Sequence, residues 1–212
     1  MIKVNEIYLS VQGESSYMGL PCVFIRLTGC NLRCSWCDTA YAFHEGENMT
    51  IDEILRKVCG FGVKLVEITG GEPLMQDKVY PLIRKLIANG HKVMLETGGS
   101  ISIERVPRDV IKFVDLKCPG SGEQEKNNLE NLKLLSPHDE VKFVISDRKD
   151  YEWSRDLIKR YKIIETADVL LSPVFEKLKL KDLVKWVLED RLPIRLQTQL
   201  HKIIWDKNTK GV

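Results

Sequence analysis

Three cysteines lie close together in segment 29–39, whose sequence is GCNLRCSWCDT. Their spacing is C-x3-C-x2-C, which puts Cys30, Cys34 and Cys37 in one short loop. Thiolates are soft ligands that suit iron–sulfur clusters or zinc. Because a [4Fe–4S] cluster contains four irons, three thiolates leave one iron free for another ligand. The spacing therefore favours a [4Fe–4S] cluster with one open coordination position.

Two other kinds of cysteine site stay open at this point. A zinc site would need a fourth ligand, such as His44 or Cys22, and structural zinc sites more often use paired C-x2-C units. A thiol–disulfide redox motif at Cys34-Ser-Trp-Cys37 would leave Cys30 without a role. The iron–sulfur interpretation is favoured over zinc because a second C-x2-C pair is missing, and over a redox motif because it uses all three thiols.

The cysteine loop directly follows an apolar run at 21–28, which is a predicted strand. Further predicted strands are 64–69, 91–96, 111–116, 140–146 and 167–172, with an earlier one near 4–10 and a late one near 193–200. Several of these runs are nearly continuous in Val, Ile, Leu and Phe, which is typical of parallel strands covered on both faces. The cysteines should therefore lie at the carboxyl edge of a parallel sheet, where ligand sites of such folds occur.

Helical patterns alternate with these strands. Thr50 and Glu53 form a capping-box signature at the start of one helix. A second pattern covers 76–89 and stops at Gly90, with Pro81 predicting a kink or a delayed start. Further helices are predicted near 126–135, 147–161 and 179–190.

The alternation of strands and helices predicts an α/β fold with a parallel sheet. About six βα units is fewer than the eight of a closed TIM barrel. We therefore expect an open, partial TIM-like (β/α)6 barrel, shortened and with an extra N-terminal strand. Since no linker or repeat divides the sequence, residues 1–212 should form a single domain.

Bulk composition points to an ordinary globular chain, with 43% hydrophobic and 29% charged residues. The formal net charge is +2, which gives no electrostatic reason to expect nucleic acid or a membrane as a partner. The sequence contains neither an apolar run of about 20 residues nor a secretory signal pattern. A cytoplasmic location is expected, where the six cysteines would be ligands or packed thiols. Of these, Cys22 and Cys118 are expected to be packed, and Cys59 to lie in the core.

A C-x3-C-x2-C loop after the first barrel strand resembles the signature of the radical S-adenosylmethionine (SAM) superfamily. The segment Thr69-Gly70-Gly71-Glu72-Pro73 is similar to the superfamily's GGEP segment, which receives the amino group of SAM. The resemblance implies a [4Fe–4S] cluster whose open iron binds the amino and carboxylate groups of SAM. It also implies reductive cleavage of SAM to a 5′-deoxyadenosyl radical.

Four further segments resemble one family of small radical SAM enzymes, the 7-carboxy-7-deazaguanine synthases. These are SVQGE at 10–14, GLPCVFIRLTGC at 19–30, WCDT at 36–39 and QTQLHK at 197–202. The resemblance implies a lyase that converts 6-carboxy-5,6,7,8-tetrahydropterin to 7-carboxy-7-deazaguanine and ammonia, a step toward deazapurines such as queuosine. It also implies an electron donor such as flavodoxin or ferredoxin, and a homodimer.

The resemblance assigns substrate contacts to five residues: Gln12, Gly13, Glu14, Arg26 and Thr69. The first three would hold the donor and acceptor edge of the pterin, and Arg26 would clamp its carboxylate. Without the resemblance, Glu14 reads as a solvated turn residue and Arg26 as half of a structural ion pair. The family often has glycine where this chain has Ser15, which puts the pose of Glu14 in question.

The resemblance also implies that the hydroxyl of Thr39 is a ligand of Mg²⁺. The implied SAM contacts are Trp36, Asp38, Gly71, Asp115 and Lys117. A purely structural alternative makes Asp38 and Thr39 a helix cap. No residue is assigned as an acid or base.

Two other functions remain as competitors. A glycyl-radical activating enzyme has a similar cysteine loop, but Gln12-Gly13-Glu14 and Arg26 argue against it. A non-catalytic zinc or redox module would use the cysteines without SAM.

Overall fold

The computed structural model describes residues 1–207 and 209–212. Within these residues, nine strands form one open sheet in the order β3-β1-β2-β4-β5-β6-β7-β8-β9. The strands are β1 (Ile2–Val11), β2 (Pro21–Leu27), β3 (Glu47–Met49), β4 (Leu65–Gly70), β5 (Lys92–Thr97), β6 (Ile111–Asp115), β7 (Glu140–Ile145), β8 (Asp168–Pro173) and β9 (Arg195–Leu196). Strands β2 and β4 to β9 run parallel, whereas β1 pairs antiparallel with both β2 and β3. The expected open, partial barrel with an extra N-terminal strand is confirmed.

Alternate residues of the parallel strands face two different environments. In β2, Val23, Ile25 and Leu27 belong to the large core that also contains the helix side chains. Cys22 and Phe24 point the other way, into a smaller apolar cluster on the opposite face of the sheet. This period of two explains how strands that read as continuously apolar can carry polar side chains on the second face near their carboxyl ends.

The helices are α1 (Ile51–Gly60), α2 (Val79–Ala88), α3 (Arg148–Tyr161), α4 (Leu180–Asp190) and the short α5 (His201–Ile204). The capping box of α1 is confirmed: the Thr50 hydroxyl accepts from the Glu53 amide at 3.2 Å, and the Thr50 amide donates to the Glu53 carboxylate at 2.7 Å. The helix predicted at 76–89 begins only at Val79, so Pro81 lies in its first turn, where proline is tolerated.

The helix predicted at 126–135 is wrong. The structure has 3-10 turns at Gln124–Lys126 and Leu129–Leu134 instead. Asparagine side chains explain the difference: the Asn127 amide bonds to both backbone groups of Lys117, and that of Asn131 binds the backbone of Ile103 and Ile101. Such side-chain bonds to distant backbone compete with helical hydrogen bonding.

Three further details differ from the sequence expectation. Strand β3 was not predicted, and the late strand expected over 193–200 is reduced to Arg195–Leu196. Cys59, expected in the core, is exposed because α1 buries Ile54 and Val58 and turns the next residue outward. Cys22 and Cys118 are buried as expected.

Among the described residues, no helix is long and apolar enough to span a bilayer.

Candidate active site

A cavity of about 690 Å³ opens at the carboxyl ends of the parallel strands. Its walls come from the loop after β1, the cysteine loop after β2, the strand ends and the C-terminal segment. Every site residue expected from the sequence lines it: Gln12, Gly13, Glu14, Arg26, Cys30, Cys34, Trp36, Cys37, Asp38, Thr39, Thr69, Gly71, Asp115 and Lys117. The fold therefore brings these residues, which are separated by up to about half of the sequence, to the wall of one cavity.

The cysteine loop is fixed by the segment that follows β6. The Ser35 amide donates to the Ser121 carbonyl at 3.0 Å, and the Ser35 hydroxyl donates to the Gly120 carbonyl at 2.9 Å. The Arg33 amide donates to the Glu123 carboxylate at 2.8 Å. The loop at 120–126 thus holds the cysteine loop in place by three hydrogen bonds.

The three thiols of the loop suit metal binding chemically. Burial raises the pKa of Cys30, Cys34 and Cys37, while the nearby Lys117 ammonium acts in the opposite direction on each. Thiols of this kind ionise when they bind a metal. Across residues 1–207 and 209–212, no three His, Cys, Asp or Glu side chains converge as ligands of a single ion. A [4Fe–4S] cluster does not need such convergence, because each thiolate binds a different iron.

Glycines bring the end of β4 against the start of the cysteine loop. The Gly71 amide donates to the Leu27 carbonyl at 3.2 Å, and the Glu72 amide donates to the Gly29 carbonyl at 2.7 Å. A Cβ atom on Gly71 would overlap the Gly29 carbonyl oxygen and lie only 2.9 Å from the Cβ of Cys30. Gly71 is therefore required for this backbone packing, whether or not it also contacts a ligand.

Glu72, the acidic residue of the GGEP segment, is buried and has a structural role. It accepts hydrogen bonds from the amides of Leu74 (3.0 Å) and Gly98 (2.7 Å), and from the Thr97 hydroxyl at 2.9 Å. Burial raises the pKa of Glu72, and these hydrogen bonds oppose that shift. Glu72 thereby ties the end of β4 to the end of β5 beside the cysteine loop.

The segment Gln12-Gly13-Glu14 is held from several sides. The Gln12 side chain donates to Glu67 and accepts from the Glu14 amide at 2.8 Å. The Glu14 carboxylate accepts from Lys142 at 2.6 Å and from Gln199 at 2.9 Å. Glu14 is therefore a fixed cavity residue and the solvated-turn alternative is wrong. Ser15 has a φ of +67°, a backbone conformation that glycine adopts more easily, and so keeps the turn that the family's glycine would favour.

The C-terminal segment covers Gly13. The Leu200 amide donates to the Gly13 carbonyl at 2.9 Å, and a Cβ on Gly13 would overlap the His201 ring. Burial lowers the pKa of His201 and so favours its neutral form. His201 is a cavity residue that the sequence analysis did not single out, although it lies within the quoted QTQLHK segment.

Arg26 faces the cavity and is also part of an ion pair. Its Nε donates to Glu6 at 2.7 Å, and a terminal nitrogen donates to the Tyr8 hydroxyl at 2.8 Å. Its guanidinium carbon lies 5.9 Å from the ring centres of Tyr8 and Tyr41. Both sequence interpretations of Arg26 thus fit: an internal partner compensates its charge, and the side chain still lines the cavity.

Asp38 and Thr39 lie at the mouth of the cavity. The Thr39 hydroxyl donates to Asp38 at 2.9 Å and makes no capping bond to the 3-10 turn that follows, so the cap alternative is wrong for its side chain. Burial would raise the pKa of Asp38, but Lys202 at 2.6 Å and Gln199 at 3.2 Å hold it well below its usual range. An ionised carboxylate beside a hydroxyl is a hard-oxygen pair of the kind that Mg²⁺ accepts.

Asp115 and Lys117 form a buried pair at the end of β6, with 2.8 Å between the lysine nitrogen and a carboxylate oxygen. The second oxygen of Asp115 is buried and has no hydrogen-bond partner among the described residues. A buried acceptor without a donor on the cavity wall suits a ligand that presents hydroxyl or amino groups, as SAM does. The residues present therefore fit this cofactor.

Among the charged residues of the cavity that lie on strands, sequence reasoning missed three: Glu67 on β4, Glu96 on β5 and Lys142 on β7. Each is a charged residue inside an apolar strand, a signal that Arg26 shares. Lys142 donates to Glu96 at 2.8 Å, and Glu96 accepts from the Thr69 hydroxyl at 3.0 Å. Applied to every strand, the same signal would have found all three.

An open α/β barrel with a three-cysteine loop at its carboxyl edge is the architecture of radical SAM domains, and the family model of the Radical SAM superfamily matches residues 24–170. The chain is 48% identical to the 7-carboxy-7-deazaguanine synthase of Koribacter versatilis (strain Ellin345), and the match covers all of both proteins. It is 42% identical to the enzyme of the same name from Chlorobaculum tepidum, over 100% of this chain and 97% of that one. The chain belongs to the 7-carboxy-7-deazaguanine synthase family of the radical SAM superfamily.

The fold has a solved counterpart. The crystal structure of QueE from Escherichia coli superposes with a TM-score of 0.74 at 24% identity, and the match covers 93% of each chain. As a radical SAM enzyme, the protein uses a [4Fe–4S] cluster and SAM.

Proposed function

We propose that this enzyme converts 6-carboxy-5,6,7,8-tetrahydropterin to 7-carboxy-7-deazaguanine and ammonia, as a step in 7-deazapurine biosynthesis. The observation that carries the proposal is that one cavity unites the cysteine loop with Gln12, Glu14 and Arg26. The name shared by its full-length relatives supports the same reaction.

Within this proposal, Cys30, Cys34 and Cys37 hold the cluster, because their thiols share one loop on the cavity wall. The residues that would contact SAM all line this cavity: Trp36, Asp38, Gly71, Asp115 and Lys117. The free buried oxygen of Asp115 supports its part as an acceptor toward SAM. Thr39, with Asp38 hydrogen-bonded to it, holds Mg²⁺ and its waters.

The cavity offers the pterin two groups of opposite charge, Glu14 and Arg26. Glu14 offers a carboxylate to the amino and ring NH groups of the pterin, and the buried Gln12 keeps its amide bonded to the Glu14 backbone. Arg26 offers a guanidinium to the pterin carboxylate, and Thr69 lines the same cavity as a further substrate contact. Opposite charges at the two ends of the substrate fix its orientation.

When bound, the cluster and SAM would supply the radical chemistry of the reaction. The chain's own residues orient the substrate and exclude water. The C-terminal segment contributes to this exclusion, since Lys202 reaches Asp38 and Gln199 reaches Glu14 across the cavity. No side chain is assigned as an acid or base.

Four wider features belong to the same proposal. An electron donor such as flavodoxin or ferredoxin reduces the cluster, the enzyme works as a homodimer, and residues 1–212 act as one domain. A reducing compartment, the cytoplasm, suits a chain whose six cysteines are all free thiols.

The test is anaerobic reconstitution with iron and sulfide, followed by incubation with SAM, reductant, Mg²⁺ and 6-carboxytetrahydropterin. Mass spectrometry should detect 7-carboxy-7-deazaguanine from the wild type and none from Cys34→Ala. The exposed Cys59 provides a matched control, and Cys59→Ala should retain activity. If 5′-deoxyadenosine forms without 7-carboxy-7-deazaguanine, the proposed substrate is wrong. The function of a glycyl-radical activating enzyme, which acts on a partner protein, is then favoured.

A further inference from the structure

Lys142 lies at the centre of the cavity's charged groups, and none of the ligand roles proposed above uses it. Its side chain is only 10% exposed, and its ammonium contacts three carboxylates from three other parts of the chain. It lies 2.6 Å from Glu14, 2.8 Å from Glu96 and 3.7 Å from Asp115. It therefore joins the loop after β1 to the ends of β5 and β6.

Each of the three carboxylates uses one oxygen for Lys142 and keeps the other for a different purpose. The second oxygen of Glu14 accepts from Gln199 at 2.9 Å, and that of Glu96 accepts from Thr69 at 3.0 Å. The second oxygen of Asp115 has no partner among the residues that the structure describes. The Lys142 ammonium thus fixes the rotation of Glu14 and Glu96 by hydrogen bonds. It shares one oxygen of Asp115 with Lys117, so that the other oxygen of Asp115 is left free to meet a ligand.

Charge balance supports this arrangement. Carboxylates buried close together repel one another unless a cation lies between them. Lys117 is another ammonium near this group, and its ion pair among the described residues is with Asp115. Without Lys142, Glu14 and Glu96 would lack their only lysine partner among the described residues.

We propose that Lys142 is a positioning residue that fixes the separation between the pterin at Glu14 and the SAM at Asp115. By this separation it keeps SAM cleavage coupled to product formation. The inference rests on the proposed function and deepens it. A purely structural ion pair, by contrast, would affect the stability of the fold but not the coupling.

Lys142→Met removes the ammonium and keeps much of the side-chain volume. Product formation should fall by about 10- to 100-fold, because a misplacement of about 1 Å at a reacting centre costs a rate of that order. Formation of 5′-deoxyadenosine should fall much less, since the cysteine loop is intact. The ratio of 5′-deoxyadenosine to 7-carboxy-7-deazaguanine should therefore rise about 10-fold.

The chain offers a matched control in Lys112, another buried lysine. Its ammonium lies 3.0 Å from Asp139, at the amino end of the sheet and away from the cavity. Lys112→Met should lower the unfolding temperature without changing the product ratio. Lys142→Arg keeps the positive charge but replaces the compact ammonium with a planar guanidinium of different geometry. The ratio of 5′-deoxyadenosine to 7-carboxy-7-deazaguanine should therefore rise in this variant as well.

The experiment measures both products and the unfolding temperature for the reconstituted wild type and all three variants. A raised ratio in Lys142→Met with an unchanged ratio in Lys112→Met supports the inference. A wild-type ratio in Lys142→Met overturns it. If Lys142→Met does not fold, Lys142→Arg decides: a raised ratio supports positioning, and a wild-type ratio assigns Lys142 to stability alone. If the wild type itself forms no deazaguanine, the proposed function fails, and the inference fails with it.

Discussion

The contact between Gly71 and the cysteine loop gives a sharp prediction for Gly71→Ala. The added methyl group would overlap the Gly29 carbonyl oxygen and lie 2.5 Å from the Gly29 carbonyl carbon. These are backbone atoms, so no side-chain rotation can relieve the overlap. The start of the cysteine loop or the end of β4 must move.

The cost of this movement follows from the contacts. Overpacking of a close contact costs about 1–3 kcal/mol. Movement also weakens the bond from the Glu72 amide to the Gly29 carbonyl, now 2.7 Å, and a hydrogen bond contributes about 1 kcal/mol. The total of about 2–4 kcal/mol should lower the unfolding temperature by about 4–16 °C in a chain of this size. Displacement of Cys30 should also reduce the iron bound per chain.

Gly60→Ala is the matched control, because a Cβ on Gly60 would meet nothing within 4 Å and the residue ends α1. It should leave stability unchanged or raise it by up to about 1 kcal/mol. Anaerobic thermal unfolding and iron analysis of the two variants and the wild type measure both effects. Equal unfolding temperatures and equal iron content in Gly71→Ala and Gly60→Ala would refute the reasoning.

Three further predictions address the cysteines, magnesium and pH. Cys34→Ala should lose the cluster and all SAM cleavage, whereas Cys59→Ala, which removes an exposed thiol, should keep its iron; equal iron in the two would contradict the assignment. Thr39→Ala should raise the magnesium concentration for half-maximal activity by about 10-fold, as expected for a weakened metal site, and an unchanged magnesium titration would count against the ligand role. Burial raises the pKa of Glu67 well above its ordinary value of 4.5. Above pH 4.5 the folded protein therefore keeps a proton that the unfolded chain releases, and this contribution to the free energy of unfolding declines as the pH rises. Glu67→Gln removes that contribution, so its unfolding temperature should fall less than the wild type's between pH 4.5 and 8; identical slopes would show that Glu67 is ionised in the fold.

The sequence predicted the elements that local pattern controls. The apolar runs located the parallel strands to within a few residues, and the Thr50–Glu53 capping box located the start of α1. These signals are local because a strand's burial and a helix's first hydrogen bonds depend on neighbouring residues. The helix predicted at 126–135 failed because Asn127 and Asn131 bond to backbone far along the chain.

The same division applies to the cavity. Every residue assigned from the sequence lines it, since residues at the carboxyl ends of parallel strands share one edge of the sheet. Their individual partners were not predictable. Arg26 faces the cavity and pairs with Glu6 in the same fold, and the sequence weighed these as alternatives.

By itself, the sequence carried the order of the strands and the motifs of the family: the three-cysteine loop and the GGEP segment resemble those of radical SAM domains. Only the tertiary structure decided which charged side chains of the cavity pair with one another. Glu14, Glu96, Asp115 and Lys142 lie on separate elements, and no local pattern relates them. They meet because three neighbouring strands and the loop after β1 line one cavity, where burial makes each charge depend on partners that are distant in the sequence.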